Sequence, residues 1–154
     1  MEKLQVALQR LDALANKLEA KNTAISEGSV GWHIAHCHLV VQGIVAALGA
    51  SNPADYRWTF NKRRVLVLWI GKMPRGKAKA PGRVQPKQTV DPEVLQSATA
   101  KTTEALQTLK QLPPNAHFTH PFFGVLNKNQ SLRVLLIHTK HHLAIIADIL
   151  KVRS

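Results

Sequence analysis

The sequence predicts an all-α fold, four long helices packed as a four-helix bundle around one core. Three observations carry that prediction. Apolar residues recur at spacings of three and four in four separate segments. Start and stop residues bound most of these segments. No region is rich in strand signals, although VLVLWI at 65–70, read alone, would suit a strand.

The first helix is expected over residues 2–21, where Leu4, Leu8, Leu11, Ala15 and Leu18 form one face. Residues 22–28 read as a turn. The second opens near Ser29 and runs to about Leu48, with Ile34, Val40, Ile44 and Ala47 inward and Gly49 as its stop. The third has Asp91 as N-cap, Pro92 at its first position and Glu93 at the positive end of its dipole. It ends near Leu112, before Pro113-Pro114. The fourth starts near Asn127, with Gln130 three residues on as in a capping box, and turns Val134, Leu135, Ile145 and Ile149 inward. The connection over 51–90 is too long for a simple turn and holds a short helical candidate at 62–72. The connection over 113–126, with His117, His120 and Gly124, reads as a loop.

The 154 residues suit a single domain over 1–154, and an apolar share of 45% is that of a folded protein. One cysteine, Cys37, excludes an internal disulfide framework and a cysteine-based zinc finger. It reads as a small buried residue rather than a nucleophile. The N-terminus has no uninterrupted apolar core of a secretory signal, and no apolar stretch reaches the roughly 20 residues of a membrane span. A cytoplasmic protein with no membrane partner is the expectation. An aromatic share of 5% speaks against an RNA-stacking platform.

Eight histidines stand out. Three lie in WHIAHCH on the second helix (His33, His36, His38) and three in HTKHH on the fourth (His138, His141, His142). At about 100° per residue, His138 and His142 differ by roughly 40° and point inward with Val134 and Ile145. His33 and His36 align with the inner face of the second helix. His38 lies roughly 200° from His36 and is expected outward, and His117 also reads as a surface residue. An i, i+4 pair plus a third imidazole from a facing helix is a three-nitrogen metal site with an open position. Polar residues at the rim of a core are the competing reading. No acid lies within either cluster, so a zincin glutamate is absent. Asp148 falls on a different face, and no Ser-His-Asp arrangement or phosphate-binding glycine loop is legible.

SVGWHIAH, HPFFG and HTKHH together resemble the DinB-like superfamily of metal-binding four-helix bundles. The closer resemblance is to a bacterial branch of unknown function with an HPFFG motif, and it covers essentially the whole chain, including GKMPRGKAKAP. The resemblance implies an up-down-down-up bundle with a long crossover between helices two and three. It implies His36, His138 and His142 as metal ligands, zinc or nickel as the metal, and a homodimer. Superfamily members include thiol-dependent transferases, so a metal-dependent hydrolase or thiol-dependent S-transferase is the implied class. His33, His120 and His141 are extra to the three-ligand pattern and are the candidate catalytic or orienting groups. Phe122 and Phe123 are expected to anchor the HPFFG loop, with Gly124 permitting its turn.

The net charge of +12 has an address. Residues 56–90 hold ten Lys and Arg and no Asp or Glu. A solvated basic face is one reading. Another is an anion site beside the metal, with Arg75, Lys77 or Lys79 binding a carboxylate or phosphate of a small-molecule substrate, anionic or thiol-bearing. A non-catalytic protein contacting nucleic acid or an acidic partner through this segment is the alternative function, with nucleic acid the less favoured partner. Trp58, Phe60 and Trp69 interleave with these cations and are expected to pack in the core of the crossover.

Overall fold

The computed structural model describes residues 1–75, 82–86 and 89–151. Among them are five α-helices and one two-stranded sheet: α1 Glu2–Asp12, α2 Val30–Gly49, α3 Lys62–Ile70, α4 Pro92–Gln111, β1 His117–His120, β2 Gly124–Asn127 and α5 Lys128–Lys151.

The helix termini follow local chemistry. Ser29 accepts from the Trp32 N–H (3.2 Å), Asn61 from Arg64 (2.9 Å) and Asp91 from Val94 (2.8 Å), each satisfying a first-turn donor. Asn127 and Gln130 bond each other's backbone N–H groups at 2.9 and 3.1 Å, a capping box with Asn in the cap position. α3 stops at Ile70 because Gly71 takes the left-handed conformation (φ 72°) and its N–H closes on the Val67 carbonyl.

Two expectations are corrected. The first helix ends at Asp12 rather than residue 21, followed by a 3-10 turn at Ala15–Lys17. The chain bends there so that the Leu18 and Ala20 carbonyls accept from Gly31 and Val30, the open donors at the start of α2. Gly31 permits this approach: a Cβ there would lie 3.1 Å from the Leu18 oxygen. The 113–126 connection is not wholly a loop. It contains an antiparallel hairpin pairing His117 with Asn127 and His120 with Gly124, whose φ is 65°. Four-residue strands are too short to register as an alternating pattern.

α2 is the central element. It packs against α4 and α5 and touches α1, while α1 lies on α5. Its length and apolar composition would be enough to cross a membrane, but most of it is buried within the protein. The main core gathers Leu4, Leu8, Ile34, Val41, Leu106 and Ile146 from these four helices. A smaller second core joins Val67 of α3 to Phe123 and Leu126 of the hairpin and Val134 and Ile137 of α5. Phe123 is thus the anchor of its loop, whereas Phe122 is exposed.

Candidate metal centre

α2 and α5 run side by side and bring three imidazoles together. His36 comes from α2; His138 and His142 stand one turn apart on α5. One ring nitrogen of each lies within 4.8 Å of the others, so the group could hold a metal ion. His36 and His142 are buried, and His138 is partly exposed, which leaves the cluster open on one side. The His36 and His138 Nε2 atoms are 3.2 Å apart. Two nitrogens about 2.0–2.1 Å from one tetrahedral zinc would be about 3.3 Å apart, so the spacing fits.

The surrounding groups fix which nitrogens face the cluster. His36 Nδ1 donates to the Val84 carbonyl (2.7 Å), leaving the Nε2 lone pair for the cluster. Trp32 stacks on the same ring, 4.9 Å away and nearly parallel, and holds its plane. His142 Nδ1 lies 2.9 Å from His33 Nδ1, and His33 Nε2 lies 3.0 Å from Ser26 Oγ. If His33 Nε2–H donates to Ser26, then His33 Nδ1 accepts from His142, and His142 Nε2 keeps its lone pair for a metal. Gly28 lets the 22–28 turn lie over this pair: a Cβ there would be 2.8 Å from the Trp32 ring.

Burial is the main reason these rings stay neutral. It lowers His33 from 6.5 to about 4 and His138 from 6.5 to about 3, with neighbouring histidines adding to the effect. Burial also lowers His36 and, together with His138, His36 and His33, lowers His142. Neutral imidazoles are the metal-binding form. Burial pushes the Cys37 thiol well above its ordinary range, and it is fully enclosed, as a structural residue would be.

The remaining candidates divide. His33 touches the cluster directly. His141 is half-buried, bonds to the Met73 backbone and is lowered by burial and by Arg75. His120 stacks on Phe123 at 4.5 Å and lies near enough to His138 to affect its charge. Arg75 donates to Asp148 (2.6 Å), so its guanidinium already holds a carboxylate of the protein. Lys77 and Lys79 lie outside the described residues. Through Val84, Met73 and Arg75, the long connection borders the histidine cluster.

His38 corrects the sequence expectation. It is fully buried rather than outward, donating from Nε2 to Asp12 (2.8 Å) with Nδ1 2.9 Å from Thr102 Oγ1. The outward prediction fails because α2 is surrounded and has no solvent face at this level. His117 is partly buried beside Tyr56, with ring centroids 5.6 Å apart.

This histidine cluster, held between the second helix and the last, is set in a recognised sequence family. The chain belongs to DUF1569, a family of proteins of unknown function. The match covers residues 1–148, so it includes every histidine described above. No curated protein and no solved structure matches the chain. Within this DUF1569 chain, the sequence signals missed Ser26, Trp32 and the Val84 carbonyl. The last two orient His36, and Ser26 closes the chain from His142 through His33. A backbone carbonyl arriving from 48 residues away leaves no mark in a motif.

Proposed function

We propose that this chain is a DinB-like four-helix bundle of α1, α2, α4 and α5, in up-down-down-up order with α3 in the crossover. In this reading it is a cytoplasmic single-domain protein that binds one divalent metal, zinc or nickel, through His36, His138 and His142. One observation carries the reading. Three neutral imidazoles converge from two helices, and His36 Nδ1 is already committed to a carbonyl, so its Nε2 is available. Neutral nitrogen donors suit both metals.

A bound metal would supply Lewis acidity to polarise a substrate oxygen or to activate water or thiolate, the chemistry of a hydrolase or a thiol-dependent transferase. The protein's own groups do the rest. His33 Nδ1 pairs with His142 Nδ1 and orients that ring. His141 and His120, whose charges are felt at His138, are the candidates to move a proton there. No carboxylate joins the metal-binding group among the described residues; in this reading the base would be a spare imidazole, metal-bound hydroxide or a group on the substrate. Arg75 would meet the anionic end of a small substrate or thiol only by exchanging its Asp148 partner.

Metal analysis of protein purified without chelator tests this. One zinc or nickel per chain is expected, and His142→Ala is expected to weaken binding by more than about 100-fold. Metal content unchanged in both His138→Ala and His142→Ala sinks the assignment. Turnover of an electrophile with, and without, an added low-molecular-weight thiol then separates transferase from hydrolase.

A further inference from the structure

One face of the molecule departs sharply from the sequence expectation. Trp58, Phe60 and Trp69 are not core residues: they are 59%, 72% and 80% exposed. Val65, Leu66, Ile70 and Phe122 are exposed with them. At about 100° per residue, positions 62, 65, 66, 69 and 70 of α3 share one outward arc. Arg64 and Val67 lie on the opposite, buried side.

The orientation is fixed from beneath. Arg64 is 2% exposed, donates to the Thr59 and Val125 carbonyls, and lies 5.6 Å from the Trp58 ring centre. Turning the apolar arc inward would expel this guanidinium from its partners. The Asn61 amide reaches the Phe122 carbonyl (3.5 Å), which ties the hairpin turn to the start of α3. On α3 itself Val65, Leu66, Trp69 and Ile70 are neighbours at spacings of one, three and four, so they form one apolar strip rather than scattered single residues.

Its charge is one-sided. Arg57, Lys62, Arg63 and Lys72 are exposed around it, and residues 56–90 hold no acid. Asp55 lies just outside and is bonded by Asn52 (3.0 Å).

We propose that this face binds the surface of an anionic lipid bilayer. α3 would lie in the membrane plane with Leu66, Trp69 and Ile70 at the acyl boundary and Lys62, Arg63 and Lys72 among the headgroup phosphates. Exposed aliphatic side chains gain from hydrocarbon, which nucleic acid does not offer them. A two-fold dimer through this face would set the same cations against themselves. The expectation of no membrane partner rests on the lack of a spanning stretch, and a surface helix requires none. The proposal does not depend on the metal.

The full chain is mixed with phosphatidylcholine vesicles, with or without phosphatidylserine, and sedimented. Binding to the anionic vesicles is expected, at least about tenfold stronger than to the neutral ones, with a blue shift of tryptophan fluorescence. Leu66→Glu, which keeps all three tryptophans, is expected to lower binding at least about tenfold and abolish the shift. Lys62→Glu with Arg63→Glu is expected to remove the preference for anionic lipid. Circular dichroism of each variant is expected to match the parent, since these side chains are exposed. Equal binding to both vesicles, or binding unaffected by Leu66→Glu, overturns the proposal. Absence of vesicle binding also overturns it. A dimer split by Leu66→Glu would then assign the face to a second copy, and retained duplex DNA would assign it to nucleic acid.

Discussion

His36 and His38 stand two residues apart on α2 and end in opposite kinds of surroundings. Among the described residues, the polar and ring contacts of His36 are with other imidazoles, a tryptophan face and one carbonyl. His38 meets a carboxylate and a hydroxyl, and the Gln42 amide completes the set by donating to Thr102 (3.0 Å) and to the Ala98 carbonyl. Asp12, His38 and Thr102 have the chemical order of a nucleophilic triad. Yet Thr102 is 2% exposed and His38 wholly enclosed, so no substrate reaches them. The same side chain becomes a polar tie between α1, α2 and α4 on one side and a metal-ligand candidate on the other. Access and neighbours decide which.

The sharpest way to break that comparison is to exchange the losses. His138→Ala is expected to weaken metal binding by more than about 100-fold with little change in the melting of chelator-treated protein. His38→Ala is expected to keep full metal content but lower stability by about 2–4 kcal/mol, from the cavity and the loss of the partner shared by Thr102 and Asp12. Metal titration and urea unfolding of both variants check this. If His38→Ala loses the metal at unchanged stability, the two roles have been misassigned.

A smaller effect is expected one step back from the ligands. His33→Ala removes the partner of His142 Nδ1 without removing a ligand. Affinity is expected to fall by about 10–100-fold while saturating metal still gives full occupancy. An unchanged dissociation constant would show that His33 only fills space.

A separate effect concerns pH in the metal-free protein. His33 and His138 sit near 4 and 3 when folded, against 6.5 for an unperturbed ring. Below pH 6.5 the unfolded chain takes up protons that the folded one refuses. Stability is therefore full above that pH and falls as the pH drops towards the folded values. Urea midpoints in chelator, taken across this window, should decline. His33→Asn combined with His138→Asn should make the decline shallower, with His36 and His142 supplying the remainder, and a profile already flat in the parent contradicts it.

The difference between the two histidines also marks how far a sequence reaches. The spacing of His138 and His142 placed them on one inward face, because 3.6-residue periodicity is local. The same reasoning placed His38 outside. It assumed that a helix has one dry face and one wet face, which fails for a helix covered by α1, α4 and α5. Trp58, Phe60 and Trp69 fail in the opposite direction. Their apolar character suggested the core, but burying Arg64 beneath α3 turned Trp69 outward, and Trp58 and Phe60 are exposed in the segment before that helix.

By itself, the sequence determined the existence of the long helices though not the end of the first, most of their caps, the histidine pair on α5 and the acid-free run of cations. Each depends on residues within a turn or two of one another, where backbone geometry is set by local sterics and hydrogen bonding. The tertiary structure alone decided that His36 meets that pair, that Val84 and Ser26 complete its surroundings, that His38 is a buried tie, and that an apolar, cationic face is left uncovered. Those outcomes depend on which helix lies against which. That choice is made by burying shared apolar area across tens of residues, and no local pattern records it.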